Sequence, residues 1–188
     1  MGNFTFYQTK LPGVFLIDVK TYGDERGYFM ETYKENDFRA AGLNYHFVQD
    51  NQSSSRKGVL RGLHFQKKHP QAKLVRVLRG AVFDVAVDLR RQSPTFGQWA
   101  GEILSEENKR QMMIPRGFAH GFLVLSDIAE FEYKSDDFYR PEDEGGILWN
   151  DPDIGIEWPQ PGTIILSEKD RKQPTLASSG FAYEGNIE

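Results

Sequence analysis

From Lys73 to Leu89 the chain reads KLVRVLR, Gly80, AVFDVAVDL, and in the second segment apolar and polar positions largely alternate. Successive side chains of a strand point to opposite faces, so Ala81, Phe83, Val85, Val87 and Leu89 share one face, with Asp84 and Asp88 on the other. Gly80 is a natural turn between this strand and the preceding one, Lys73 to Arg79. Glu130 to Lys134 alternates too, with Phe131 and Tyr133 opposite Glu130, Glu132 and Lys134. Further strands are predicted at Val14 to Val19, Gly27 to Tyr33, Gly62 to Gln66, Trp99 to Leu104, Arg110 to Ile114 and His120 to Leu125. Helical signals are few. Lys34 to Ala41 fits two turns, and Ser105 to Lys109 and Ser167 to Arg171 read as capped turns, the latter with Ser167 as N-cap and Asp170 three positions on. About ten short strands predict an all-β architecture, a jelly-roll barrel or sandwich with a few short peripheral helices.

Composition narrows the picture. The 188 residues fit a single domain, 1–188, with no repeat, low-complexity block or linker. Glycine (18) and aromatic residues (14 Phe, 8 Tyr, 3 Trp) suit many strands joined by tight turns. A net charge of −4 offers no basic field for nucleic-acid phosphates. The N-terminal segment lacks a signal-peptide pattern, and no apolar run approaches the roughly 20 residues needed to cross a bilayer. The absence of cysteine excludes thiolate metal sites, disulfides and cysteine nucleophiles, and fits a reducing cytoplasm.

Four histidines remain for metal or proton chemistry: His46, His64, His69 and His120. His120 stands in IPRGFAHGF (114–122), which resembles the second half-motif of the cupin superfamily. The first half-motif of metal-binding cupins supplies two histidines and a glutamate. Here the corresponding stretch, LRGLHFQKKHP, has Gln66 where the second histidine is needed. No metal site is therefore expected, and a metal-dependent cupin oxygenase or isomerase is disfavoured.

Abstracting a proton next to a ketone needs a base, a stabiliser for the enolate oxygen and an acid on the opposite side. His64 as base, Lys73 as cation, Tyr133 as acid and Asp170 as orienter of the imidazole are candidates. Each also has a structural alternative: Lys73 as a solvated strand end, Tyr133 as a core aromatic, Asp170 as part of a helical turn.

Six further segments carry a specific resemblance. GDERGYFMETY (23–33), FVQDNQS (47–53), VLRGLHFQ (59–66), the long run 73–99, IPRGFAHGF and ILWNDPDIGIEWP (147–159) resemble, in order, the dTDP-4-dehydrorhamnose 3,5-epimerase family of cupins. The resemblance implies a homodimer with a metal-free, cofactor-free site in the barrel that inverts carbons 3 and 5 of dTDP-4-dehydro-6-deoxy-D-glucose. It implies His64 as general base, Tyr133 as general acid, Lys73 near the carbon-4 oxygen and Asp170 as partner of His64. Arg26, Glu31, Gln49, Asp50, Asn51, Arg61, His120, Glu144 and Lys169 match positions used around the nucleotide-sugar, and arginines suit a diphosphate. Tyr139, Tyr28 or Phe122 could stack on thymine, with Tyr139 preferred.

Structural alternatives stand beside these roles: a surface ion pair for Arg26 and Glu31, a solvated loop or edge strand for Gln49 to Asn51 and Glu144, surface charge for Arg61 and Lys169. Arg61 and His64, three apart, point to opposite faces of a regular strand. They share a site only if Gly62 permits a bulge or if Arg61 serves a neighbouring subunit. YKSDDFY (133–139) departs from the family pattern after the lysine, which is expected to affect loop detail. Two other readings are a single-centre epimerase on a related sugar and a non-catalytic nucleotide-sugar-binding cupin.

Overall fold

A computed structural model describes residues 2–159 and 162–185. In chain order its strands are β1 (Phe4–Gln8), β2 (Phe15–Val19), β3 (Tyr22–Asp24), β4 (Gly27–Phe29), β5 (Gln49–Arg56), β6 (Leu60–Gln66) and β7 (Lys73–Arg79). They continue with β8 (Ala81–Asp88), β9 (Trp99–Ser105), β10 (Gln111–Ile114), β11 (Phe118–Val124), β12 (Ile128–Ser135) and β13 (Glu144–Gly146). The helices are α1 (Glu35–Ala40), α2 (Glu168–Arg171) and α3 (Leu176–Ser179), with a 3-10 turn at Pro141–Asp143.

One sheet has the order β1-β2-β10-β7-β12-β5 and the other β13-β6-β11-β8-β9, while β3 and β4 form a separate hairpin. The sheets form a sandwich and do not close into a barrel. Val75, Val77, Val82, Ala86, Met112, Phe122 and Phe131 form the core between them. Two outer layers bury the opposite faces. Phe38 of α1 covers the first sheet beside Phe4, Ile17 and Leu74. Ile147, Ile154 and Trp158 cover the second over Leu63, Val85 and Val87. A fully buried Phe such as Phe38 contributes about 2–3 kcal/mol.

This layering decides which face of β8 turns inward. Its apolar face, Phe83, Val85 and Val87, packs under the C-terminal layer, whereas Asp84 shares the inner face with Val82 and Ala86. Both aspartates are fully buried. Strands sandwiched on both sides lose visible alternation, and every residue of β10 and β11 is buried. The remaining boundaries differ from expectation mainly near the N-terminus. The strand expected over 27–33 stops at Phe29, and β1, β3, β5 and β13 were not among the expected strands.

Candidate active site

Between the sheets lies a cavity of about 410 Å³, lined in part by His64 and His120 from β6 and β11 on one side and by Lys73, Tyr133 and Asn51 from β7, β12 and β5 on the other. Arg61, Phe122, Gln52, Ser53, Ser167, Lys169 and Asp170 complete its lining.

The β6–β11 pairing explains how Arg61 and His64 reach one cavity. His64 pairs with His120 and Arg61 with Phe122, so three steps along β6 match two along β11. One extra residue on β6 makes a bulge and reverses the alternation between Arg61 and His64. Gly62 is needed there: its φ is +130°, and a Cβ would lie 2.5 Å from Gly121 Cα and 2.9 Å from the His120 carbonyl oxygen.

His64 Nε2 lies 2.6 Å from Asp170 Oδ1. Asp170 is held by α2, whose N-cap Ser167 accepts a hydrogen bond from the Asp170 amide at 3.0 Å. Burial alone would raise the Asp170 carboxyl, but the hydrogen bond and charge of His64, with the Ser167 cap, carry it below the usual carboxylate range. An ionised carboxylate only accepts, so Nε2 carries the hydrogen and Nδ1 is left as the basic nitrogen.

A second pair stands beside the first. His120 Nε2 lies 2.9 Å from Asp84 Oδ2, and Asp84 Oδ1 is buried without a hydrogen-bond partner among the described residues. Burial pushes the Lys73 ammonium down to about 8, against the charges of Asp84 and Glu144, which hold it up. That ammonium stands 5.4 Å from the centre of the Tyr133 ring. Burial, then the Glu144 charge, raises the Tyr133 phenol, with Arg61 opposing. A phenol shifted upward keeps its proton and can donate it.

A chain of polar contacts forms the rim. Lys169 pairs with Glu144, which also accepts from the Tyr139 hydroxyl at 2.8 Å. The Tyr139 amide donates to Gln49 Oε1 at 3.1 Å, and Gln49 Nε2 donates to Asn51 Oδ1 at 2.8 Å. Asn51 Nδ2 is buried with no hydrogen-bond partner among the described residues.

Six expected binding residues are not part of the cavity lining: Gln49, Glu144 and Tyr139 stand on this rim, and Asp50, Arg26 and Glu31 lie away from it. Asp50 alternates away from Asn51 and pairs with Lys134 at 3.0 Å. Arg26 pairs with Asp24 at the tip of the exposed β3–β4 hairpin, and Glu31 accepts from Asn3. Of the stacking candidates, Tyr28 lies under the Lys109 ammonium, Phe122 stacks on Phe131 at 4.2 Å, and Tyr139 stands exposed at the rim. Asp84 was read only as a strand position and Ser167 only as a cap. An acid within an otherwise apolar strand was the available signal for Asp84.

A sequence model described as dTDP-4-dehydrorhamnose 3,5-epimerase matches residues 8–178. The chain is 57% identical over 178 residues to a dTDP-4-dehydrorhamnose 3,5-epimerase of Methanothermobacter thermautotrophicus, covering 94% of this chain and 96% of the relative. It is 57% identical over 170 residues to one from Pseudomonas aeruginosa, covering 90% and 94%. Its structure is similar, with a TM-score of 0.94 and 48% identity, to a dTDP-6-deoxy-D-glucose-3,5-epimerase of Legionella pneumophila solved in complex with dTDP-4-keto-L-rhamnose. That match covers 98% of this chain and 100% of the other.

Proposed function

The chain belongs to the dTDP-4-dehydrorhamnose 3,5-epimerase family, and from that premise we propose that His64 and Tyr133 act on the sugar from opposite walls of the cavity. The enzyme is an isomerase that converts dTDP-4-dehydro-6-deoxy-D-glucose to dTDP-4-dehydro-L-rhamnose by inverting carbons 3 and 5. The observation that carries the assignment of roles is the placement of the His64–Asp170 pair on one sheet's side and Tyr133 on the other, around one cavity.

The ketone at carbon 4 acidifies both neighbouring C–H bonds, since either carbanion delocalises onto the same oxygen. His64 Nδ1 takes the proton, and the Asp170 carboxylate stabilises the resulting imidazolium. Lys73, assisted by His120, faces the oxygen where enolate charge develops. Tyr133 returns a proton from the opposite face. One base serves both carbons as the ring shifts between steps. Arg61, Lys169 and Asn51 bind the diphosphate and nucleotide, and Tyr139, fixed by Glu144 and Gln49, stacks on thymine.

The working unit is a homodimer of single-domain chains, 1–188, in the cytoplasm. The exposed β3–β4 hairpin, with Arg26 at its tip outside its own cavity, suits contact with the partner's site, and Glu31 and Asp50 belong to that periphery. Among the described residues no helix is long and apolar enough to cross a membrane.

Incubating metal-stripped protein with the substrate in deuterated water tests the assignment. Exchange at carbons 3 and 5 is expected. Exchange at one carbon alone points to a single-centre enzyme, and none at all overturns the reading.

A further inference from the structure

Most arginines with a charged partner here face a carboxylate: Arg76 with Glu132, Arg90 with Asp88, Arg110 with Asp18. Arg61 differs. Among the described residues no carboxylate pairs with it, and its hydrogen-bond partner is the hydroxyl of Ser55, reached by Nε at 3.1 Å and by Nη2 at 3.0 Å. Ser55 is 8% exposed and lies on β5, in the sheet opposite the β6 strand that carries Arg61.

We infer that Ser55 is a positioning residue, whose hydroxyl aims the Arg61 guanidinium into the cavity without neutralising it. The inference rests on the reading of Arg61 as a contact of the nucleotide-sugar diphosphate. A hydroxyl accepts two donors of the guanidinium while carrying no charge, so Nη1 keeps its full attraction for a phosphate. A carboxylate at the same place would hold the arginine as firmly but compete with the ligand. The β6 bulge brings Arg61 to the cavity side, and the Ser55 hydroxyl restricts the rotation of its long side chain there. Ordering that side chain before the ligand arrives removes part of the entropic cost of binding. The clasp also spans the two sheets at the cavity, where Arg61 lowers the Tyr133 phenol against burial and Glu144.

The test is a double-mutant cycle on the full chain, read by calorimetric binding of dTDP and by KM and kcat. Arg61→Met should weaken dTDP binding strongly. Ser55→Ala should raise the dTDP Kd and the substrate KM by about five- to tenfold, with kcat changed less than about twofold. Ser55→Ala added to Arg61→Met should then have no further effect on Kd. Ser55→Thr, which keeps the hydroxyl, should restore binding. If Ser55→Ala leaves Kd and KM as in the parent protein, or adds its full effect to Arg61→Met, the positioning role is overturned. If Arg61→Met itself leaves dTDP binding intact, the diphosphate reading of Arg61 fails first and is identified as the cause.

Discussion

Two histidine–aspartate pairs stand side by side on neighbouring strands, His64 directly opposite His120, yet their surroundings differ. The His64 side chain is 31% exposed and its aspartate is delivered by α2 from 106 positions away in sequence. The His120 side chain is 8% exposed, and Asp84 is fully buried on the adjoining strand β8. One pair joins a strand to a peripheral turn and leaves its imidazole open to the cavity. The other lies within one sheet and places a negative charge near Lys73. In the proposed mechanism the same two residue types supply a base in one place and a fixed field in the other, and the supporting element decides which.

The comparison can be broken in order of expected effect. On the proposed roles, His64→Asn should lower kcat by about 10³-fold, with proton exchange lost at both carbons. Retained exchange at either carbon would show that a second base exists. Asp170→Asn keeps the volume but loses the charge that orients and supports the imidazolium, so kcat should fall by about 10²-fold while dTDP binding measured by calorimetry stays the same. Tyr133→Phe should reduce net inversion by about tenfold or more relative to solvent exchange, because removal of a proton does not need the acid. Equal loss in both readouts would remove Tyr133 from the role of acid.

The buried pair should speak through pH. In the proposed mechanism Lys73 is competent when protonated, so its contribution to kcat is expected to be lost as pH rises through about 8. Asp84 holds the Lys73 ammonium up against burial. Asp84→Asn should therefore move the alkaline limb to lower pH, by up to about one unit. A limb that stays in place in the Asp84→Asn pH–rate profile would separate Asp84 from Lys73.

The strands β7 and β8 were legible in sequence because valine-rich alternation and Gly80 mark them. Strand β5, QDNQSSSR, carries no apolar face to read and owes its conformation to pairing with β12 at the sheet edge. Local alternation separated the two faces of β8 correctly, but it cannot say which face meets the other sheet when a C-terminal layer covers the outside. His64, Lys73, Tyr133 and Asp170 were named from their chemistry and the family resemblance. Their convergence depends on pairings across four separate elements, which no spacing along the chain records. Ser55 went unread because nothing in a run of three serines distinguishes the one facing an arginine.

The bulge at Gly62 gives β6 a phase as well as a composition. Deleting one of the two residues between Arg61 and His64 would leave the pair two apart in a regular strand and still on one face, whereas losing the bulge with both residues kept, as through Gly62→Val, would turn them to opposite faces. Arg61 would leave the cavity while still present in the sequence. Anion recognition in this strand therefore depends on the backbone at Gly62 as well as on the identity of the side chains around it. Among relatives, a side chain in place of this glycine, without a compensating gap, should predict a different ligand charge even where Arg61 and His64 are retained.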